Sequence, residues 1–246
     1  MASITPYYFA TWEAGGAYHV YNSAVHRNVL FQTQSDHFKF RDRLRDMVAS
    51  FADVYAFACV RNHFHISLRI HDLPRILKRL EKASKLTAKE KKYLNEEATL
   101  NQLIGSYFAN FFKSYALSFN KRHNRRGTLF DQTVRRIRIR KDLVSRRLIM
   151  YIHTNEMKHH MGNSYTDLGM RTSFWHYTDQ RIMESWLDTK TVLDRFGGAA
   201  DFFTKHERYV KKYSSNLPHF DEERYFGYGG KVLEDAPEIP WLDDED

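Results

Sequence analysis

Cysteine is nearly absent from this sequence, since Cys59 is the single thiol in 246 residues. One cysteine excludes an intrachain disulfide framework and a multi-cysteine zinc site, and it fits a reducing compartment. Long hydrophobic runs are missing as well, because no stretch approaches the roughly 18 apolar residues that a membrane span needs. The N-terminal segment also lacks a basic start followed by an apolar run. We therefore expect a cytoplasmic protein with no membrane partner.

Acidic residues are too few to balance the basic ones. The chain carries 38 Lys and Arg against 30 Asp and Glu, which gives a net charge of +8 and a pI near 9.4. Residues 121–147 alone carry 11 basic and two acidic side chains, whereas residues 219–246 carry ten acidic and two basic ones. A concentrated basic segment favours a polyanionic partner, and nucleic acid is the leading candidate. We expect the C-terminal segment to be a loosely ordered acidic tail.

The order of apolar patterns predicts an α+β fold. Strand, helix, strand, strand, helix, strand and helix follow one another, which is typical of a ferredoxin-like antiparallel sheet with helices packed on one face. The predicted strands cover 17–31, 54–60, 63–70 and 129–139, and the predicted helices cover a segment from Ser35 or Asp36, then 100–122 and 142–161. Residues 74–97 are expected to be a solvated helix or insertion. We divide the chain into a main domain, 1–178, which the motifs described below identify as the expected catalytic domain, and a C-terminal helical extension with the tail, 179–246.

The third predicted strand separates polar from apolar side chains. Alternate residues of a strand point to opposite faces, so His63 and His65 share one face with Ser67, while Phe64 and Ile66 share the other. Two imidazoles two residues apart can hold one divalent cation and leave coordination positions free for substrate oxygens. The alternative is a surface strand on which two histidines occur by chance.

The predicted helix 142–161 carries two different stripes. Val144, Leu148 and Ile152 form an apolar stripe for the sheet, while Tyr151 and Asn155 lie four residues apart on a polar edge. The Asn155 amide oxygen could then be a third metal ligand and place the phenol of Tyr151 beside the metal. The alternative is that Tyr151 is a packing residue, as most of the 15 tyrosines must be.

Three short blocks together resemble a known family. They are Asn62-His63-Phe64-His65, then Gly127-Thr128-Leu129-Phe130, then Tyr151-Ile152-His153-Thr154-Asn155. The set is similar to the signature blocks of the REP-associated tyrosine transposases, which belong to the single-tyrosine HUH transposase superfamily, and the resemblance spans residues 17–178. Two positions depart from the family pattern: Val60-Arg61 stands where Met-Pro is common, and Glu156 stands where Pro is common.

The resemblance implies a specific chemistry. It implies a ferredoxin-like domain in which His63 and His65 are the metal-binding pair, Tyr151 is the nucleophile and Asn155 is the family's polar residue four positions later. The expected cofactor is Mg²⁺ or Mn²⁺, and the expected substrate is single-stranded or hairpin DNA that is cleaved and rejoined through a 5′-phosphotyrosine. We also expect a possible homodimer and a nucleoid-associated location.

The basic segment supplies the expected DNA contacts. Alternation with isoleucine places Arg136, Arg138 and Arg140 on one strand face, where a row of cations can follow phosphates. The alternative is a merely solvated strand. The full set of expected DNA-binding residues is Asn62, Arg125, Arg126, Arg136, Arg138, Arg140, Arg147 and Lys158.

Three other functions fit part of the sequence. A non-catalytic ferredoxin-like protein could bind single-stranded DNA or RNA with its basic and aromatic residues and would need no metal. A metal nuclease with a water nucleophile would tolerate the loss of Tyr151 and form no protein–DNA adduct. An HUH replication initiator or relaxase fits the block after the basic strand less well.

Overall fold

The computed structural model describes residues 9–25, 28–131, 134–158, 171–179 and 184–213, without the side chains of Glu156, Lys158, Lys212 and Tyr213. Four strands form the sheet: β1 (Ala17–Ser23), β2 (Ala52–Val60), β3 (His63–Ile70) and β4 (Arg135–Ile139). The helices are α1 (Gln34–Val48), α2 (Leu73–Glu81), α3 (Ala88–Leu94), α4 (Leu100–Arg122), α5 (Asp142–Lys158), α6 (Thr189–Phe196) and α7 (Ala199–Tyr213), with a 3₁₀ turn at Phe174–Tyr177. No described helix is long and apolar enough to cross a membrane.

The sheet is antiparallel and has the order β2-β3-β1-β4. This arrangement confirms the predicted α+β fold with helices against an antiparallel sheet. β3 lies in the interior, between β2 and β1. Tyr21 of β1 lies opposite His65 of β3 on one side and opposite Arg135 of β4 on the other. The register therefore brings three strands together at the end of the sheet where β3 begins.

The first face of the sheet carries the larger core. Phe64, Ile66 and Leu68 point from β3 into a cluster that α1 and α4 complete with rings such as Phe40 and Tyr115. All five side chains are fully buried. Burial of each such side chain contributes about 1.5–3 kcal/mol, so this alternation fixes which face of β3 is apolar.

The second face is covered by α5. Ile149 and Ile152 pack against Ile137 of β4 and Ala58 of β2, and Phe202 of α7 joins the same cluster. The sequence predicted helices on one face of the sheet, and in the structure α5 covers the second face as well. The reason is that most of α5 from Leu148 to Asn155 is buried, because the helix is enclosed between the sheet and the C-terminal helices. The boundary at 178/179 stays a prediction.

Several element bounds differ from the sequence prediction. β1 ends at Ser23 because Ala24 already pairs with Phe130 and Val25 donates its N–H to the Leu129 carbonyl. Those two pairings also place 129–130 ahead of β4 instead of within it.

The helices differ too. α1 begins after Thr33, whose N–H donates to Asp36 at 2.9 Å, so Asp36 lies inside the helix. The 74–97 segment contributes to two helices, because Pro74 stands in the first turn of one and a Thr87–Glu90 capping box begins the other. The predicted helix end at 161 and the acidic tail lie outside the described residues.

The outer edge of β2 is occupied by the chain that follows α5. Ser173 donates its N–H to the Phe57 carbonyl at 3.0 Å, and Asp188 donates its N–H to the Val54 carbonyl at 2.9 Å. Edge strands with free backbone groups pair readily with other chains. These bonds therefore protect β2 and attach the C-terminal segment to the sheet.

Candidate active site

β3 and α5 place the predicted reacting residues on facing surfaces. Alternation along β3 turns His63 and His65 away from the apolar core, toward the face that α5 covers. On α5, Tyr151 and Asn155 are one turn apart and face that side of the sheet. Strand and helix periodicity thus bring both pairs together.

The distances put the four residues into one cluster within a single chain. The Asn155 amide oxygen lies 2.9 Å from His63 Nε2. The ring centroids of His65 and Tyr151 are 5.4 Å apart in an edge-to-face arrangement, and those of His63 and His65 are 5.1 Å apart. The structure therefore brings together the proposed nucleophile and all three proposed metal ligands.

The site is closed on the side of the sheet and open on one edge. Tyr151 is 4% exposed, His65 and Asn155 are 1% exposed, and His63 and Asn62 are partly exposed. Tyr151 is more buried than the polar edge predicted from sequence, because its ring lies against His65 and His19 of the sheet, while α7 and the 3₁₀ turn cover the outer side of α5. A substrate would enter from the side of His63.

Each histidine of the pair has its Nδ1 atom engaged by a neighbouring side chain. His63 Nδ1 lies 2.8 Å from the Asn62 amide oxygen, and His65 Nδ1 lies 3.0 Å from Nε2 of His19 on β1. Burial lowers the pKa of His19 to about 3, so this ring is neutral at neutral pH. In both histidines Nε2 is therefore the ring nitrogen that could bind a cation.

The donors fit a divalent cation. A neutral imidazole has one N–H, so His63 cannot donate to both amide oxygens beside it. If Nδ1–H donates to Asn62, then Nε2 and the Asn155 oxygen are two acceptors 2.9 Å apart, and a cation bound by both removes their repulsion. Ligands at right angles around Mg²⁺ or Mn²⁺ lie about 3 Å apart, which matches this separation.

The ligand set is short of charged donors. Among the described residues, no three or more His, Cys, Asp or Glu side chains are grouped so that they could hold a metal ion. The proposed ligand set is thus two imidazoles and one amide oxygen, which leaves coordination positions on the cation for phosphate oxygens. Imidazole donors suit Mn²⁺ better than Mg²⁺.

A buried chain of hydrogen bonds holds the middle of the tyrosine helix. It starts at the Phe202 carbonyl, which lies 2.7 Å from His206 Nδ1, and continues from His206 Nε2 to His153 Nδ1 at 2.9 Å. His153 Nε2 lies 2.8 Å from the Ser173 hydroxyl, which accepts the Phe57 N–H at 2.9 Å. The chain connects α7, α5, the segment after α5 and β2.

The two backbone ends fix the direction of this chain. A carbonyl only accepts, so His206 Nδ1 carries its proton and its Nε2 accepts from His153 Nδ1–H. His153 Nε2 then accepts from the Ser173 hydroxyl. Burial lowers the pKa of His206 to about 3 and that of His153 well below its usual value, with a further contribution to the latter from the neighbouring His206 and His176. Both rings are therefore neutral, and Tyr151 and Asn155 flank an anchored position.

The predicted row of arginines lies on the other face of the sheet. Arg136 and Arg138 share one face, as expected, but they lie opposite Val20 and Tyr18, which point into the first core. Arg136 stacks on Trp12 and donates to the Ala10 carbonyl at 2.6 Å. Arg138 lies over the Tyr18 ring and forms an ion pair with Glu13. Their role in DNA binding stays a prediction, and it would concern a surface away from Tyr151.

The other predicted DNA contacts are scattered around the site. Arg125 donates to Asn120 and to the Thr128 carbonyl, and so shapes the loop in which Gly127 has a φ of +86°. Arg126 and Arg140 are exposed, and Arg147 is partly buried one turn before Tyr151. The Lys158 side chain lies outside the described residues.

Three residues near the site were missed from sequence: His19, Tyr21 and Arg135. His19 and Tyr21 flank His65 across the β1–β3 pairing, and their rings are stacked 4.9 Å apart. Arg135 lies opposite Tyr21, its guanidinium is 5.9 Å from the Tyr21 ring centroid, and it forms an ion pair with Asp131 at 3.3 Å. The alternation of 17–23 could have indicated the first two once the strand register was known.

Comparison with known proteins gives a distant likeness. No protein-family model and no curated protein matches the chain. Among solved structures, the chain is similar to a REP-associated tyrosine transposase bound to a REP hairpin, with a TM-score of 0.49 and 14% sequence identity over 76% of this chain and 90% of the other. The function proposed below rests on the residues of the site instead.

Proposed function

We propose that this chain is a metal-dependent DNA strand transferase that cleaves and rejoins single-stranded or hairpin DNA through Tyr151. The meeting of four residues in one chain carries the proposal: Tyr151 beside the ring of His65, and Asn155 at 2.9 Å from His63. A tyrosine that served packing alone would not need a second, ligand-bearing residue on the next helical turn. The surplus of basic residues supports a nucleic acid as substrate.

The residues have distinct tasks in this reaction. A divalent cation bound by His63, His65 and Asn155 would polarise the scissile phosphate and offset the charge on the leaving oxygen. Tyr151 supplies the nucleophilic oxygen. Burial of Tyr151 and His65 between α5 and the sheet fixes the direction of attack and keeps water away from the phosphorus.

The proposed step conserves bonds. The Tyr151 oxygen forms a bond to phosphorus, and the bond from phosphorus to the DNA 3′ oxygen breaks. The phenol loses its proton and the 3′ oxygen gains one. The product is a 5′-phosphotyrosine, and a DNA 3′ hydroxyl can reverse the step because one phosphodiester has been exchanged for another. No nucleotide cofactor is required.

A covalent adduct assay tests the proposal. The full chain is mixed with Mn²⁺ or Mg²⁺ and a labelled single-stranded DNA that contains a hairpin, and denaturing gels are examined for labelled protein. We expect an adduct that chelator prevents and that Tyr151→Phe abolishes. Tyr115→Phe is the matched control, because its hydroxyl donates to the Leu30 carbonyl in the core on the other face.

Each other outcome identifies a rival function. Equal adduct from Tyr151→Phe refutes the assignment of the nucleophile. Metal-dependent cleavage that survives Tyr151→Phe without an adduct indicates a nuclease with a water nucleophile. Metal-independent binding without cleavage indicates a single-stranded nucleic-acid-binding protein.

A further inference from the structure

The two proposed histidine ligands share a feature that the proposed reaction does not use. In each ring Nδ1 lies within hydrogen-bond distance of a side chain outside the proposed ligand set: Asn62 for His63 at 2.8 Å and His19 for His65 at 3.0 Å. His19 is fully buried on β1, and Asn62 lies in the tight connection before β3. The partners come from different elements but engage the same ring atom.

We propose that His19 and Asn62 are positioning residues that fix the tautomers of His65 and His63, so that both Nε2 atoms offer lone pairs to one cation. This inference rests on the proposed function, because it assigns a task around the same metal site. It also gives Asn62 a role other than the DNA contact expected from sequence.

The tautomers of His19 and His65 are coupled by their shared hydrogen bond. One proton lies between His65 Nδ1 and His19 Nε2. If His65 donates it, then His65 Nε2 has a lone pair and can bind a metal. If His19 donates it, then a neutral His65 must carry its own proton on Nε2 and cannot bind a metal. A metal at His65 therefore requires His19 to act as the acceptor.

Asn62 acts on His63 in a simpler way. Its amide oxygen can only accept, so when Nε2 binds a cation beside the Asn155 oxygen, Asn62 accepts the proton that His63 then carries on Nδ1. Partners of this kind fix ring orientation and raise the basicity of the ligand atom. Their loss commonly weakens metal binding by about 10- to 100-fold.

Metal affinity without DNA tests the inference. Binding of Mn²⁺ to the full chain is measured from the electron paramagnetic resonance signal of free Mn²⁺. His19→Phe and Asn62→Leu keep the shape but remove the acceptor, and we expect each to weaken binding by about 10- to 100-fold. His19→Gln and Asn62→Asp keep an acceptor oxygen at the required position, and we expect them to stay within a few-fold of the wild type.

A distant histidine provides the matched control. His71 is also buried, bonds to Asp53 at 3.1 Å and follows the opposite end of β3. His71→Phe should leave Mn²⁺ affinity unchanged. If His19→Phe fails to fold, then His19→Asn replaces it, because its oxygen is too short to reach His65 and binding should still weaken.

Nitrogen chemical shifts separate positioning from general stability. In metal-free protein labelled with ¹⁵N at histidine, we expect His65 to carry its proton on Nδ1 in the wild type and in His19→Gln, and to lose that preference in His19→Phe. A wild-type His65 protonated on Nε2, or a His19→Phe variant with wild-type Mn²⁺ affinity, would overturn the inference. Either result would leave the proposed function, which the adduct assay tests, unaffected. A wild-type protein that binds no Mn²⁺ would overturn both proposals.

Discussion

Replacing Ser173 by alanine should destabilise the protein far more than the removal of one hydroxyl suggests. The Ser173 hydroxyl is fully buried and serves two partners: it donates to His153 Nε2 at 2.8 Å and accepts the Phe57 N–H at 2.9 Å. Both partners are buried, and alanine offers neither a donor nor an acceptor. The variant therefore leaves two polar groups unsatisfied.

The size of the effect follows from those two groups. An unsatisfied buried donor or acceptor costs about 1–3 kcal/mol, so the two groups predict that Ser173→Ala lowers the free energy of unfolding by about 2–6 kcal/mol. A protein of this length loses about 2–4 °C of melting temperature per kcal/mol, which predicts a fall of roughly 4–24 °C. Because His153 lies between Tyr151 and Asn155 on α5, we expect the yield of covalent adduct to fall as well.

Urea unfolding followed by circular dichroism measures this prediction. Ser106→Ala is the control, because its hydroxyl donates only to the Leu103 carbonyl one turn earlier in α4, and it should change stability by about 0.5 kcal/mol or less. A Ser173→Ala variant within that same margin of the wild type would show that the hydrogen-bonded chain is not what holds α5.

Three further predictions concern other parts of the molecule. Burial lowers the pKa of His206 to about 3, so the unfolded chain binds a proton at this residue at a higher pH than the folded chain does. This difference alone should lower the free energy of unfolding by about 2 kcal/mol between pH 7 and pH 5. His206→Gln should therefore show a shallower pH dependence in urea unfolding. Asp36 is fully buried and accepts from Arg122 and His123, so Asp36→Asn should cost about 3–5 kcal/mol, whereas the exposed Asp46→Asn should cost little in the same assay. Arg135→Gln should weaken DNA binding and lower the slope of log affinity against log salt concentration by about one, as measured by fluorescence anisotropy. Lys190→Gln, at the exposed surface of α6, should change neither quantity.

The sequence alone predicted those features that depend on local periodicity. Alternation in 63–70 separates apolar from polar residues without exception over all eight positions, so the faces of β3 followed directly. The four-residue spacing of Tyr151 and Asn155 likewise placed them on one side of a helix. Both patterns are short-range consequences of backbone geometry.

Features that depend on strand register could not be predicted in this way. His19 reaches His65 only because β1 pairs with β3 in one particular alignment. In β4, arginines occupy both faces, and the pairing with β1 decides that Arg135 lies on the side of the site and Arg136 on the other. No local pattern distinguishes these alternatives.

The burial of Tyr151 also depended on residues distant in sequence. The sequence placed it on a polar edge of the helix, but its ring lies against His65 of β3 and His19 of β1. Phe202 and Phe174 pack over the other side of α5 from segments that follow it in the chain. A helix between two packed layers buries residues that its own amphipathic pattern assigns to solvent.

The bonds that Ser173 and Asp188 make to β2 have a consequence for shortened forms of the protein. A premature stop codon shortly after α5 would leave every proposed reacting residue encoded, yet it would expose the backbone groups at the edge of β2 and remove the partner of His153. Such a truncated chain would lose the proposed activity and would be prone to aggregate. The proposed activity therefore requires the chain well beyond the last of these residues.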